Sequence, residues 1–511
     1  MLKRPAPDAL PAPLGSLFMR LPGWLWRLFT LTVLLSLATA NPLPTALCLL
    51  VLPVLILASW RRGEVPVLTF GLGWQWLEVT LPVFWADVQG LPVTDTTLLP
   101  WVGKAIWLSL IGLVVLAAGV YAGLRISSRR WRWEASGSID ANWNLSRLFR
   151  LYVAASLASL LLFALSGVSE AIRQPLLTLA GVHWVFFFLL LLTVLRSKRG
   201  YPLLAAVTGW EIVASLGFWS GFKTPLFYLV LALFTVDSRL TFKRLAVGSA
   251  FVVALIFLGC VWTSIKGPYR EFLNEGTGQQ AVLVSPGQRV AELGHLLAGW
   301  SLEDLPDGLE RLAERISYVE YFAAVLGYVP AVVPYQNGLI WRTGVENLIP
   351  RLFWPGKPAL NDSDITRRYT GIMVSGANEG TSIGIGYMAE SYVDFGPYGM
   401  FVPIFLLGIL WGGIYAYFVS RPHPAAVNYA FAVTALMDSV SVETSATKIV
   451  AGLVLGLLFL GLLLRYFMPK VEAWLSAGSV PAPELPVEQG LAGERGGKAV
   501  GSTKSLQHLN Y

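Results

Sequence analysis

The chain has 511 residues, 55% of them hydrophobic and only 14% charged, against roughly 25% charged in an ordinary soluble domain. That balance excludes a water-soluble fold. A mean hydropathy of +0.59, with repeated apolar runs near the ~20 residues that cross ~30 Å of hydrocarbon, predicts an all-α polytopic membrane protein. An outer-membrane barrel would show short alternating strands and is excluded as well. Cys48 and Cys260 lie inside apolar runs with no CxxC spacing and no histidine partner, so neither a disulfide framework nor a metal site is indicated.

In chain order the apolar runs predict twelve spans, near 24–40, 43–60, 66–86, 100–124, 150–167, 176–195, 201–218, 224–236, 245–265, 398–419, 425–440 and 446–467. The Ala38-Thr39-Ala40 triplet after the first run resembles a signal-peptide cleavage site, but the stretch before that run is long for a signal peptide. An even number of spans puts both termini on one side. If that side is the cytoplasm, its segments hold 24 Lys and Arg, while the short outer loops hold four, Lys104, Arg173, Lys223 and Lys448. The positive-inside bias therefore predicts cytoplasmic termini. The net charge of +7 is a topology signal, and it calls for the lipid bilayer as partner rather than nucleic acid.

Four regions follow: a membrane domain over 1–265 with about nine spans, a large extracytoplasmic loop over 266–396, three further spans over 397–468, and a Gly, Pro, Ala and Ser-rich cytoplasmic tail over 469–511 that is expected to be disordered. The loop holds ten basic and fifteen acidic residues, and its length marks it as folded and functional. Apolar positions at a 3.6-residue period predict one helix from Pro306 to Tyr328, lying on the membrane surface or packed on the spans. In that helix Arg311 has Asp307 and Glu314 within helical reach. Arg315 has no local partner and is left for an ion pair or a ligand elsewhere. From Pro330 onward repeated prolines predict extended and turn conformations.

Two motifs follow. Ile349-Pro350-Arg351-Leu352-Phe353-Trp354-Pro355-Gly356-Lys357-Pro358 sets Arg351 and Lys357 in a stiff aromatic segment, where a basic side chain loses little freedom on meeting a phosphate. Gly384-Ile385-Gly386-Tyr387-Met388-Ala389-Glu390-Ser391-Tyr392-Val393-Asp394-Phe395-Gly396 puts Glu390 just before the tenth span. Its glycines follow no strand of a βαβ unit, so they are read as tight turns back into the bilayer and not as a nucleotide loop.

Together these segments resemble the Wzy-type oligosaccharide repeat-unit polymerases, the O-antigen and exopolysaccharide polymerase family. The shared pattern is many spans, one large late loop, an I-P-R-x-x-W-P-x-K-P segment, and G-x-x-x-E-x-Y-x-x-F-G leading into the next span. It covers the layout and, most specifically, residues 349–399. The spaced Arg-x10-Gly pattern of some members is not met, since Gly327 follows Arg315 one residue too late. The resemblance implies the glycosyltransferase C-type architecture of O-antigen polymerases and ligases. It also implies polyprenyl-diphosphate-linked oligosaccharides as substrates, no cofactor, and a chain-length regulator and a flippase as partners.

Such a reaction requires positive charge where a diphosphate departs and a base for the acceptor hydroxyl. The expected diphosphate contacts are Lys223, Arg270, Arg315, Arg351 and Lys357, and the expected catalytic base is Glu390, with Asp394, Glu443 and Asp87 as weaker candidates. No metal ligands are assigned. His295 is read as structural, the mixed charges at Asp362, Asp364, Arg367 and Arg368 as a solvated turn, and Glu78 and Glu211 as facing protein or water inside the membrane. A glycan ligase of similar architecture and a precursor transporter or flippase are the alternatives.

Overall fold

The computed structural model describes residues 23–61, 63–96, 99–130, 143–168, 170–214, 223–237, 241–277, 282–349, 354, 356–357, 361–374, 382–437 and 440–477. Among them every regular element is helical. The first ten helices are α1 (Gly23–Ser36), α2 (Pro42–Ser59), α3 (Val67–Gln89), α4 (Val102–Arg130), α5 (Leu145–Ser166), α6 (Glu170–Ala180), α7 (His183–Ser197), α8 (Tyr201–Ala214), α9 (Lys223–Val236) and α10 (Phe242–Leu273). Shorter helices follow: α11 (Pro286–Gly299), a 3-10 turn at Leu302–Asp304, α12 (Leu305–Ile316), α13 (Val319–Tyr328), α14 (Leu339–Glu346), α15 (Asp362–Thr370) and α16 (Tyr387–Gly399). The chain returns to long apolar elements with α17 (Phe401–Val419), α18 (Ala425–Met437) and α19 (Ala446–Tyr466), and closes on α20 (Met468–Ser476).

A helix stands at each of the twelve expected spans. Seven of these elements, α2, α4, α5, the α6–α7 run, α10, α17 and α19, are long and apolar enough to cross a membrane, the make-up of a multi-pass membrane protein. Leu157, Leu160, Leu161 and Phe163 on α5, and Val252, Val253 and Ile256 on α10, face outward, as they would in lipid and would not in water. By contrast α7 is apolar all round, with every side chain from Val185 to Leu192 buried, which a helix sustains only when surrounded by others.

The tightest contact in the bundle runs along α4 and α17, where Gly119 and Gly123 meet Gly408 and Gly412. A Cβ on Gly119 would stand 2.2 Å from the Phe405 carbonyl oxygen, one on Gly123 2.4 Å from that of Ile409, one on Gly408 2.3 Å from that of Leu116, and one on Gly412 2.4 Å from that of Val120. Only hydrogen fits. With lipid as apolar as leucine, close backbone approach supplies the dispersion contacts that hold two such helices together.

The tips of the helices that carry the expected inner-face charges gather at one end. Tyr415 and Tyr429 donate to Glu64 and Gly63, at 3.0 Å each, His423 meets Glu472 at 2.8 Å, and Arg147 donates to the Trp474 carbonyl at 2.6 Å. The last two contacts correct the tail boundary. Residues from 469 do not begin a disordered segment, because α20 buries Met468, Val471 and Leu475 at helical spacing; the remainder of the tail, from 478, lies outside the described residues.

The region from 266 departs from expectation in three further ways. Helix α10 runs on to Leu273, so Lys266 and Arg270 are one turn apart on a continuing helix. The expected helix from Pro306 to Tyr328 is two helices, broken at Ser317 and Tyr318. Ser317 is extended, and the Tyr318 hydroxyl donates to the Gly384 carbonyl, which turns the apolar α13 inward to bury Phe322, Ala323 and Val325. The segment read as a solvated turn is α15, begun by the Asn361 side chain accepting from Ser363 N–H at 3.1 Å and ended by Gly371 at φ +71°.

The glycine contact yields a direct test. Gly408→Ala should lower stability by about 1–3 kcal/mol, because the obstacle is backbone and not a yielding side chain. Gly452→Ala, on α19 with nothing within 4 Å of the new methyl, should not. Thermal denaturation midpoints of the two variants in detergent decide it, and equal midpoints would remove the glycine contact as a determinant of the bundle.

Candidate functional site

The centre of the site is a short non-helical connection, Val440 to Ser445, that leads into α19. Buried non-helical backbone needs internal partners for its polar groups, and two buried glutamates help supply them. On one side Glu78 of α3 accepts from the Ser441 hydroxyl at 2.5 Å and the Val442 N–H at 2.7 Å, and from the Trp74 indole at 2.7 Å. On the other, Oε2 of Glu390 in α16 accepts the Ala446 N–H at 2.6 Å. Ser445 stands at the N-cap of α19 but makes no side-chain cap bond, so Glu390 caps that helix from a neighbouring one. Between these anchors the Tyr387 N–H donates to the Thr444 carbonyl at 3.0 Å, and Gly386, at φ +82°, lies so close that a Cβ would stand 2.4 Å from the Val442 carbonyl oxygen.

The residue held at the middle of this connection is Glu443. Its carboxylate lies 3.7 Å from the Arg315 guanidinium, and both side chains reach solvent, 31% and 59% exposed. Arg315, left without a local partner by its own helix, thus meets an acid from beyond α18. Charges from three other segments converge here. Lys266 lies within electrostatic reach of Arg270, Arg315, Lys223 and Glu443. Lys223, the first residue of α9, also sits over the Trp74 ring, 5.8 Å from its centroid, and so beside Glu78. Next to the cluster Lys448 bridges Asp362 at 2.6 Å and the Ser382 hydroxyl at 3.0 Å.

Of the five expected diphosphate contacts, Lys223, Arg270 and Arg315 are thus brought together. Arg351 lies outside the described residues. Lys357 donates its ammonium to the Asn347 and Ile349 carbonyls at 2.5 and 3.0 Å and closes off the chain after α14. Lys266 was missed. Its signal was present, since Lys266 and Arg270 are spaced i, i+4, but the glycine and proline between them disguised a helix.

Glu390, the expected base, lies beneath the Glu443 connection. It is wholly buried, Oε2 is committed to α19, and Oε1 has no hydrogen-bond partner among the described residues. Burial pushes its carboxyl up to about 8, the Ala446 N–H opposes this, Asp362 and Asp394 add to it, and Lys448 opposes it. The geometry makes it a positioning residue for the Glu443 connection. Asp394 is likewise structural, accepting the Ile340 and Trp341 N–H groups at the start of α14 at 3.1 and 2.9 Å. Asp87 accepts from Asn41 and Thr45. His295 is exposed, 3.9 Å from Glu292. Glu211 is buried against the Tyr152 hydroxyl and His183, and so faces protein.

The sequence pattern of a family described as a domain of unknown function, DUF8712, matches residues 93–416, more than half of the chain. The chain belongs to that family. No curated protein and no solved structure matches it. The matched stretch contains both glycine pairs, the four cations of the cluster and Glu390, while Glu78 and Glu443 lie on either side of it.

Glu390 predicts a pH dependence of stability. Below about 4.5 its carboxyl is protonated whether the chain is folded or not. As pH rises through about 8 the unfolded chain gains an ionised group that the folded chain resists, so stability falls across that window. Denaturation midpoints at pH about 5 and about 9 should therefore differ more in the native chain than in Glu390→Gln, which keeps an acceptor for Ala446 and cannot ionise. An identical pH dependence in both would overturn the assignment.

Proposed function

We propose that the chain is a polysaccharide polymerase that joins polyprenyl-diphosphate-linked oligosaccharide repeat units on the outer side of the bacterial cytoplasmic membrane. In this reading both termini are cytoplasmic, and residues 266–396 with the Val440–Ser445 connection face outward. The observation that carries it is the convergence of Lys223, Arg270 and Arg315, far apart in the chain, around Lys266 with Glu443 at their edge. The resemblance at 349–399 supports the same chemistry.

The site's groups fit the step. The acceptor hydroxyl oxygen attacks the anomeric carbon of the glycan held on its lipid carrier, and the bond from that carbon to the diphosphate oxygen breaks. The electron pair leaves with the diphosphate, where guanidinium and ammonium groups meet the developing charge. The hydroxyl proton passes to Glu443, the partly exposed carboxylate beside those cations. Energy comes from the activated diphosphate linkage.

Membrane vesicles supplied with lipid-linked repeat units provide the test. Glu443→Gln should slow elongation by about 10²–10⁴-fold, and Arg315→Ala by about 10²–10³-fold, with insertion into the membrane unchanged. Undiminished product ladders from both variants would reject the reading. Transfer of finished polymer without elongation would mark a ligase, and movement of the lipid-linked glycan without new bonds a flippase.

A further inference from the structure

A second feature lies beside the cation cluster. Between the C-terminal end of α10, α11, the 3-10 turn and α12 is a cavity of about 280 Å³, near the lower end of the roughly 300–1,000 Å³ typical of small-ligand sites. Its lining combines Trp300, Leu296 and Pro268 with Asp304, Asp307 and Arg311. One helix ties it to the cluster: on α12, Arg311 lines the cavity one turn before Arg315.

The chemistry selects the occupant. Two carboxylates against one guanidinium repel phosphate, so this is not an extension of the anion site. A lining that combines aromatic and aliphatic side chains with charged hydrogen-bonding groups suits a ring with an apolar C–H face and a rim of hydroxyls. We infer that the cavity is a saccharide subsite, which takes a neutral sugar ring of the glycan next to its diphosphate. The size suits one or two rings and not a whole repeat unit. This rests on the reading of the cation cluster given above.

The test uses the purified full chain in detergent, with the methyl glycosides of glucose, galactose, mannose and N-acetylglucosamine as probes by saturation-transfer NMR, and inorganic pyrophosphate by calorimetry. At least one glycoside should bind saturably. Trp300→Ala and the isosteric Asp307→Asn should each weaken that binding about tenfold or more and leave pyrophosphate affinity within about twofold of the native chain, which also shows that the variants are folded. Arg315→Ala should do the reverse. Failure of every glycoside to bind, or binding that survives both substitutions, overturns the subsite. Glycoside binding without pyrophosphate binding would instead overturn the polymerase reading and leave the sugar site standing.

Discussion

The contact between α4 and α17 constrains the rest of the molecule. Four glycines let two helix backbones touch, so their relative height and rotation have almost no freedom: any side chain would have to displace a carbonyl oxygen. Helix α16 runs into α17 through the kink at Gly396, where φ is +70°, and α16 carries Glu390. Fixing α17 therefore fixes Glu390, which fixes the first turn of α19 and with it Glu443. A constraint deep in the bundle thus reaches, through one buried hydrogen bond, a carboxylate at the surface.

Burying two carboxyl groups is costly unless they are bonded. Glu78 and Glu390 each accept a backbone N–H of the connection or of the helix that follows it, so the cost of burial is offset by backbone groups that would otherwise be left unsatisfied in an apolar setting. Their arrangement also divides labour among the acids. The two that hold the connection are sealed from solvent, while Glu443 between them is open. Confusing these roles is easy from sequence, because all three are acids flanked by small and apolar residues.

That confusion marks the limit of what the chain discloses before folding. The apolar runs located a helix at every expected span, since a run of ~20 apolar residues has few other ways to satisfy its backbone. Lys223, Arg270 and Arg315 were legible as charges at the ends of apolar runs or without a local partner, and the fold brings all three within electrostatic reach of Lys266. Two kinds of feature were not. Glu390 was singled out for its place in a motif, but a motif does not say whether a side chain is buried, and burial here follows from α19 packing across it. The pairing of Arg315 with Glu443, 128 positions apart, depends on how α12 and α18 are placed, which no local pattern encodes. The glycine pairs, spaced i, i+4 on two helices, were readable as a packing signal. They were passed over because each lies within a run already explained as a span.

The charges around Lys266 carry the last step. Like charges repel, and an assembly that sets Lys223, Arg270 and Arg315 within electrostatic reach of Lys266, with Glu443 and Glu78 as the nearby acids, gathers basic groups more densely than the single pairs Lys448 with Asp362 and His423 with Glu472. In the proposed reading an incoming polyanion meets this gathered charge. A diphosphate carries several oxygens and can meet guanidinium and ammonium groups from different helices at once. In the proposed polymerase reading it is the cluster's composition, more than any single residue in it, that suits a substrate whose charge is concentrated in one group.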